Sequence, residues 1–440
     1  MIALPEGAAV IMDRIERAGH SAWAVGGCVR DSLRGVQPND WDIAVSSLPG
    51  ETMQLMGGLR ALPTGLKHGT VTVRAAGADY EVTTYRVESD YSDGRHPDTV
   101  SFVDNIEDDL ARRDFTIIAM AWHPVRCLCD PFGGRSDLAH GLIRAVGDPS
   151  ARFTEDALRI LRGLRFASKT GFAIEEQTVQ AMRGCVPLLA NIAAERIRAE
   201  LLGLLGGRYV GRVLMQYADL ITAVLPELAP MVGHGQFNPY HKFDIWEHTV
   251  RVVEAAPGDP ILRMALLLHD SGKPATFTRD ERGIGHFDGH PAVSALIAEK
   301  ITERLRFSNA ERARIDLYVR YHDYPLGRDE RIIRRRLARF GEENFRTLVL
   351  IKKCDATGQL THPENLAKLD ATVRIADRIL EKQACLTLRQ LAVKGEDMMA
   401  LGLRGRKIGS TLEALLSEVL EGTVENEREA LLACAKELIK

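Results

Sequence analysis

The stretches VGGCVRD at 25–31 and NDWDIA at 39–44 decide how the N-terminal part of this chain folds. A glycine pair here separates two short β-rich runs, and Asp40 and Asp42 stand at the start of the second run. If that run is a strand, side chains two residues apart share one face, with Cα atoms about 6.5–7 Å apart. Both carboxylates would then point at one site, which predicts a pair of ligands for divalent cations.

An Asp-x-Asp pair alone also fits a turn or a solvated strand edge, so its surroundings matter. The Gly26-Gly27 turn lets backbone N–H groups approach a phosphate, and Arg30 adds positive charge nearby. Two Mg²⁺ ions held about 3.5–4 Å apart would activate a ribose 3′-hydroxyl and bind a triphosphate. Glu81, on a later β-rich run, is the candidate third ligand. The chain lacks the GxGxxG and GxxxxGK[ST] spacings of other nucleotide-binding folds.

The hydrophobic pattern changes near Asp148-Pro149. Before it, short β-rich runs alternate with glycine turns, which predicts a small α/β domain. After it, Leu, Ile and Ala recur at helical spacing to the end of the chain. The prediction is therefore an α+β protein whose helical part follows the sheet. Proline-containing breaks suggest four parts, at 1–148 (head), 149–225 (neck), 226–365 (body) and 366–440 (tail).

Composition fits a multidomain enzyme, with 440 residues, 45% of them hydrophobic and 27% charged. The net charge of -3 gives no general attraction to nucleic acid, so RNA affinity must come from local basic clusters. Seven scattered cysteines favour a reducing cytoplasm, and Cys127 and Cys129 lack CxxC spacing. Neither a signal peptide nor an apolar run of about 18 residues is present, so we expect a cytoplasmic protein without membrane contact.

Three further motifs, GLKHGTV at 65–71, YEVTTYR at 80–86 and DLARRDFT at 109–116, accompany the first two stretches. Together they resemble the class II tRNA nucleotidyltransferases, the bacterial CCA-adding enzymes and their poly(A) polymerase relatives. The resemblance implies a polymerase-beta-like head with a small mixed sheet, followed by an all-α neck, body and tail. It also implies template-independent addition of CCA to tRNA 3′ ends from CTP and ATP, by phosphoryl transfer with two Mg²⁺ ions.

The neck carries EDALRILR at 155–162, which matches a helical motif of the same family. We expect Thr154 to cap a helix that places Asp156 and Arg159 side by side. Cytosine and adenine both present an amino donor beside a ring-nitrogen acceptor, which such a pair would read without a template. The alternative is an exposed salt bridge between them. Nucleotide binding is expected of Gly27 and Arg30 from the glycine turn and of Asp156 and Arg159 from this pairing. The resemblance adds Arg113, Arg162 and Arg165.

Two features bear on specificity. DGRHP at 93–97 resembles the family's flexible loop, and its presence favours full CCA or terminal A addition. Ile118 stands where the family usually has Asn, which predicts weaker discrimination against deoxynucleotides. An enzyme that adds only the terminal A, or a poly(A) polymerase, shares the catalytic residues. The chain lacks the Gly-Arg-Arg-Phe element of the poly(A) polymerases.

His248, the His269-Asp270 doublet and Asp355 follow the order H…HD…D, which resembles the HD phosphohydrolase domain. That resemblance implies a further divalent metal and hydrolysis of phosphate esters. Alternatively, His269 is a buried core histidine and Asp270 caps a helix. Spacing does not settle whether three other histidines join the site, namely His286, His290 and His322.

RNA contact is expected on the helical part, where RIIRRRLARF begins at Arg331. Such a run neutralises phosphates and gives salt-sensitive affinity, although a solvated helix face is the alternative. The run from Leu391 to Gly409 resembles the family's tRNA-binding tail. A third hypothesis is an HD hydrolase or tRNA-binding module with an inactive head. The presence of Asp40 and Asp42, together with the neck residues, argues against it.

Overall fold

The computed structural model describes residues 2–89, 99–238, 242–359 and 363–439. It separates into two compact units. The N-terminal unit comprises Met1–Ala229 with Glu303–Phe307, and the C-terminal unit comprises Pro230–Thr302 with Ser308–Lys440.

A seven-stranded mixed sheet forms the centre of the N-terminal unit, in the order β3-β4-β5-β2-β1-β8-β9. β2 and β5 pair in parallel, whereas the other neighbours pair antiparallel. Two smaller sheets join β6 with β7 and β10 with β11. The strands are β1 Ala22–Val25, β2 Asp42–Val45, β3 Arg60–Gly65, β4 Thr70–Ala75, β5 Ala78–Thr84, β6 Arg86–Ser89, β7 Thr99–Phe102, β8 Ala121–His123, β9 Cys127–Cys129, β10 Leu142–Ile143 and β11 Ala173–Ile174.

Alternating side chains bury one face of this sheet. Val71 and Val73 on β4 are fully buried, and they pack in one cluster with Val82 on β5 and with Ile11 and Ile15 of the first helix. Branched apolar residues at every second position suit a half-buried strand. The helices of this unit are α1 Glu6–Arg17, α2 Gly27–Leu33, α3 Pro49–Leu55, α4 Ile106–Ala111, α5 Gly134–His140, α6 Pro149–Glu155, α7 Leu158–Thr170, α8 Glu176–Cys185, α9 Ala194–Leu205, α10 Val210–Gln216 and α11 Ala218–Val224.

In the residues that the structure describes, the C-terminal unit is helical apart from one short hairpin, in which β12 (Thr278–Arg279) pairs with β13 (Gly285–His286). Its longest helix bends at Gly341, where φ is 73° and ψ is 163°. A side chain disfavours that backbone, so glycine permits the bend. The helices are α12 Ile245–Ala255, α13 Pro260–Leu268, α14 Lys273–Thr276, α15 His290–Arg304, α16 Asn309–Tyr321, α17 Glu330–Gly358, α18 Pro363–Glu381, α19 Gly395–Ala400, α20 Arg406–Glu421 and α21 Arg428–Ile439.

The predicted fold class is confirmed, since a sheet-containing head precedes a helical remainder. The two β-rich runs on either side of the glycine pair form β1 and β2, and the later run that carries Glu81 forms β5. Within the described parts of the chain, no helix combines the length and apolar character needed to cross a bilayer.

Candidate functional sites

Three carboxylates meet where β2 begins. Asp42 is the first residue of β2 and lies in register with Glu81 on the parallel neighbour β5, so both side chains leave the same face of the sheet. Asp40 precedes β2 by two residues. Its side chain is therefore positioned by the turn before the strand, whereas the sequence predicted that strand alternation would position it. The pKa of Asp42 rises from 3.8 to about 6, first because the carboxyl is buried and then because Asp40 and Glu81 repel its charge. The structure thus brings the three predicted metal ligands together.

The glycine turn lies against this acidic cluster. Gly26 has φ 76° and ψ -128°, a conformation that favours glycine. A Cβ atom at this position would lie 2.9 Å from Nη1 of Arg113 and 3.8 Å from Oδ2 of Asp42. The absence of a side chain therefore lets the guanidinium approach the turn, directly before Gly27 begins α2.

Asp109 holds Arg113 in this place. Its side chain is 1% exposed, and its Oδ2 accepts a hydrogen bond of 3.1 Å from Nη2 of Arg113, while Oδ1 accepts one of 2.7 Å from Arg112. Burial acts to raise the pKa of Asp109, but the two arginines outweigh it and lower the pKa below its usual value. Asp109 is a site residue whose role the sequence did not reveal, although its place three and four residues before two arginines is a signal for it.

Three of the predicted nucleotide-binding arginines surround one aromatic ring. The guanidinium carbons of Arg30, Arg162 and Arg165 lie 5.4, 5.9 and 5.0 Å from the centre of the Phe166 ring. Each arginine also pairs with one carboxylate, since Arg30 binds Asp31, Arg162 binds Asp114 and Arg165 binds Glu200. The Phe166 ring thus lies among three guanidinium groups, one from α2 and two from α7, an arrangement suited to an anionic ligand.

The neck helix differs from the prediction. Thr154 does not cap a helix, because it lies inside α6 and its hydroxyl donates to the carbonyl of Ser150. Asp156 follows α6 in extended backbone, with φ -145° and ψ 101°, and α7 starts only at Leu158. Asp156 and Arg159 therefore do not share one helix, and the expected side-by-side placement by helical spacing is wrong.

Asp156 and Arg159 are each held by a different neighbour. Oδ1 of Asp156 accepts the N–H of Leu158 at 3.0 Å, and Oδ2 accepts Nη2 of Arg196 at 2.8 Å. Arg159 is 6% exposed and donates from Nη1 to Oε2 of Glu155 at 2.5 Å. The carboxylate and the guanidinium are thus oriented separately, and Arg196 is a contact that the sequence analysis did not assign.

Of the two specificity features, Ile118 ends a short 3-10 turn and is 7% exposed, so an apolar side chain occupies a buried position here. The loop at 93–97 lies outside the described residues.

Histidines and carboxylates form a second cluster, in the C-terminal unit. His248 lies on α12, His269 and Asp270 follow α13, and Asp355 lies on α17. Nε2 of His248 is 3.4 Å from Oδ2 of Asp270 and 3.0 Å from Oδ1 of Asp355. The four residues predicted from the H…HD…D order thus converge, and the two Asp270 oxygens face histidine nitrogens.

Two of the unplaced histidines belong to the same cluster. Nε2 of His290 lies 3.3 Å and Nε2 of His322 lies 3.7 Å from Oδ1 of Asp270. His286 does not join, because it is exposed and pairs with Asp280. The cluster lies beside a cavity of about 320 Å³.

Burial makes the cluster suitable for a cation. His269 is 1% exposed, and its Nε2 lies 3.2 Å from Oδ2 of Asp270 without hydrogen-bond geometry. A buried nitrogen without a hydrogen bond is costly unless a ligand satisfies it. Imidazole nitrogens with carboxylate oxygens are a donor set that binds divalent transition metals. These residues therefore fit a metal.

The basic run at the start of α17 is partly neutralised within the C-terminal unit. Arg331 and Arg335 pair with Glu421, and Arg334 pairs with Glu330. Arg339 donates hydrogen bonds to two tyrosine hydroxyls. Less free positive charge remains for RNA than the sequence alone indicates.

Family profiles, known proteins and solved structures that are similar to this chain share one description. The profile described as Poly A polymerase head domain matches residues 22–144, and profiles for a polymerase A RNA-binding site and for tRNA nucleotidyltransferase domain 2 match 171–232 and 292–435. A CCA-adding enzyme from Levilactobacillus brevis is 35% identical over 428 residues, covering 96% of this chain and 95% of that protein. A solved Bacillus stearothermophilus CCA-adding enzyme in complex with CTP superposes with a TM-score of 0.73 at 29% identity, covering 99% of this chain and 97% of the other. The Thermotoga maritima CCA-adding enzyme complexed with tRNA, at 19% identity and a TM-score of 0.60, shares the fold.

Proposed function

Because this chain belongs to the CCA-adding enzyme family, we propose that it adds C, C and A to the 3′ ends of tRNA, taking the nucleotides from CTP and ATP. One observation carries the proposal. Asp40, Asp42 and Glu81 form a crowded acidic cluster beside the Gly26 turn, where phosphoryl transfer needs cations.

Mg²⁺ is the cation we propose for this cluster, with Asp40 and Asp42 as ligands and Glu81 beside them. The support is electrostatic, because burial and then the two neighbouring carboxylates raise the pKa of Asp42, and a divalent cation would relieve the repulsion among the carboxylates. Hard carboxylate oxygens are the ligands that Mg²⁺ prefers. When bound, such ions make the ribose 3′-hydroxyl a better nucleophile and neutralise the triphosphate.

The arginines of the head and neck would bind and orient the nucleotide. We assign the phosphates to Arg30 and Arg113, together with the backbone at Gly27, since these groups lie around the glycine turn. Arg162 and Arg165 extend the positive surface along α7. Asp156 and Arg159 would read the amino donor and ring-nitrogen acceptor shared by cytosine and adenine.

For Asp156 and Arg159 to bind a base, their present side-chain contacts must change. Arg159 is bound to Glu155 and Asp156 is bound to Arg196, so a base must share or replace these contacts. We infer that the neck residues adjust when the nucleotide enters.

Primer extension tests the proposal. Purified protein should be incubated with Mg²⁺, labelled CTP or ATP, and tRNA that ends at the discriminator base, at -C or at -CC. Full CCA addition predicts extension of the first two substrates with CTP, and of the -CC substrate with ATP. Extension of the -CC substrate alone would identify the A-adding alternative, and long A-tails would identify a poly(A) polymerase. Failure on all three would favour an inactive head.

We also propose that the second cluster holds a divalent metal and hydrolyses phosphate esters. The buried Nε2 of His269, which faces two carboxylates, favours this function. Lys273 lies 2.7 Å from Asp270 and would attract the phosphate. Phosphate release from small phosphate monoesters measures the activity, and Asp270→Asn should abolish it. Equal release by the variant would contradict the assignment.

A further inference from the structure

The side chain of Phe166 is apolar and buried, yet its ring lies in a group of positive charges. Phe166 is 8% exposed, and the guanidinium carbons of Arg30, Arg162 and Arg165 lie 5.4, 5.9 and 5.0 Å from the centre of the ring. Guanidinium groups repel one another, and the negative face of an aromatic ring offsets part of this repulsion. The ring therefore stabilises a close grouping of three cations.

Carboxylate pairing alone does not orient these guanidinium groups. Nε of Arg162 donates to Oδ2 of Asp114, and Nε of Arg165 donates to Oε2 of Glu200 at 2.6 Å. A guanidinium has five N–H donors, so a carboxylate at Nε does not occupy the outer edge that the two terminal nitrogens form. The direction of that edge depends on what the guanidinium plane packs against, which here is the Phe166 ring.

The ring is itself held from the protein interior. Phe115 is fully buried and meets Phe166 edge to face, with ring centres 5.8 Å apart and planes at 88°. On α9, Gly203 leaves room for the neighbouring arginine, since a Cβ atom there would lie 2.5 Å from Cδ of Arg165. Close packing fixes the position of a buried ring, whereas an arginine side chain has several rotatable bonds. Phe166 is thus a rigid support for flexible side chains.

Lys169, four residues after Arg165 on α7, reflects the charge of this region. Its pKa is lowered, first by burial and then because Arg165 and Arg30 repel its charge. Around Lys169 these two arginines outweigh the carboxylates of Glu200 and Asp31. The surroundings therefore remain positive and favour an anion with several charges.

We propose that Phe166 is a positioning residue for nucleotide addition, whose ring holds Arg30, Arg162 and Arg165 in place to bind the triphosphate of the incoming nucleotide. This inference rests on the proposed function and adds to it a residue without charge. A phenyl ring offers phosphate no hydrogen bond, so Phe166 acts through the arginines. Arginines that are already oriented lose less conformational freedom on binding, and the ring therefore increases affinity for the triphosphate.

Substitution of Phe166 tests the proposal by separating KM from kcat. Phe166→Leu keeps an apolar side chain but removes the ring. In steady-state extension of tRNA, we expect KM for CTP and for ATP to rise about tenfold each, with kcat nearly unchanged. The preference between CTP and ATP should stay the same, because the ring acts on phosphate binding. A merely structural defect would reduce the folded fraction, and hence kcat, without raising KM.

Phe307→Leu is the matched control. Phe307 lies in the same N-terminal unit, is 6% exposed and has the guanidinium of Arg198 over its ring. This substitution removes a ring of similar burial beside an arginine to which we assign no nucleotide contact. The KM values for CTP and ATP should therefore equal those of the unaltered protein.

Fluorinated phenylalanines at position 166 separate the charge distribution of the ring from its shape. Mono-, di- and trifluorinated rings are similar in size, but their faces become progressively less negative. The KM for CTP should rise with each added fluorine. Titration calorimetry on the full-length chain should show weaker binding of inorganic triphosphate in the same order, and unchanged binding of cytidine. Circular dichroism verifies folding, and the fluorinated chains provide the test if Phe166→Leu does not fold.

The outcomes distinguish this inference from the proposed function. Equal KM values for the folded Phe166→Leu variant and the unaltered protein would overturn the positioning role and leave CCA addition intact. A higher KM for Phe166→Leu without a trend along the fluorinated series would show that the ring only fills space, which also overturns the proposal. Failure of the unaltered protein to extend tRNA would overturn the proposed function, and the titration with inorganic triphosphate would still decide the role of the ring.

Discussion

The ionised form of Asp42 is less favourable in the folded protein than in the unfolded chain. Its pKa is about 6 when folded and 3.8 in the reference state, so the folded protein binds the proton more tightly between these values. Protonation of Asp42 therefore stabilises the folded protein. This contribution to the free energy of unfolding is fully present below pH 3.8 and is lost as the pH rises through about 6. At neutral pH the ionised Asp42 therefore destabilises the metal-free fold.

We expect Asp42→Asn to abolish nucleotide addition while raising stability in EDTA at pH 7.5. The gain should be about 1–2 kcal/mol, reduced from the full shift because solvent reaches part of the carboxyl. Thermal unfolding at several pH values measures it, and the gain should shrink as the pH falls from 6 towards 4. Asp40→Asn is the control. Because Asp40 is exposed, this substitution should abolish nucleotide addition with a smaller change in stability. A lower melting temperature for Asp42→Asn at pH 7.5 would contradict this account.

Ile118 permits a test of sugar recognition. The family usually has an amide here, whereas this chain buries an apolar side chain at the end of a 3-10 turn. We predict that the protein incorporates dCTP readily and that Ile118→Asn increases the preference for CTP about tenfold, equivalent to about 1.4 kcal/mol. The ratio of kcat/KM values for CTP and dCTP measures the effect. Strong rejection of dCTP by the unaltered protein would show that Ile118 does not matter.

At the scale of elements, the break between α6 and α7 positions Asp156, one of the two residues proposed to read the base. Asp156 lies in the extended connection, so its carboxylate reaches both the first N–H of α7 and Arg196 on α9. A continuous helix would have pointed this side chain along the α7 surface instead. The connection thus depends on α9 for its geometry.

Arg196→Gln should weaken base selection, because Asp156 then loses the donor that orients Oδ2. We expect kcat/KM to fall about tenfold for both CTP and ATP, and misincorporation of UTP to rise, with Arg196→Lys restoring part of the loss. Arg198→Gln on the same helix is the matched control, since its guanidinium packs over Phe307. Equal selectivity of the Arg196 and Arg198 variants would show that Arg196 is only structural.

The long helix α17 shows a second effect of element geometry. The bend at Gly341 separates the basic segment near Arg331 from the segment that carries Asp355. The two parts therefore need not share one axis, so Asp355 can approach His248 while the arginines pair with Glu421.

At the scale of the whole molecule, each compact unit contains its own proposed metal chemistry. The N-terminal unit holds the carboxylates and arginines proposed for nucleotide addition, and the C-terminal unit holds the histidine cluster. The donor sets differ, with oxygen atoms in the first and mainly imidazole nitrogens in the second. This difference predicts separate metal preferences within one chain.

The sequence by itself determined the β-rich runs of the head and the glycine turn that precedes Asp42. These features depend on local rules, since alternation fixes which strand residues are buried and a positive φ selects glycine. The H…HD…D order likewise identified four residues of the second cluster, because each belongs to a recognisable motif.

Only the tertiary structure decided three other points. It placed His290 and His322 opposite His248 and His269, broke the neck helix at Asp156, and neutralised part of the basic run with Glu421. Each depends on packing between elements that are distant along the chain. Helical periodicity defines which face of a helix is apolar, but it does not determine which helix ends meet or which acid lies opposite an arginine.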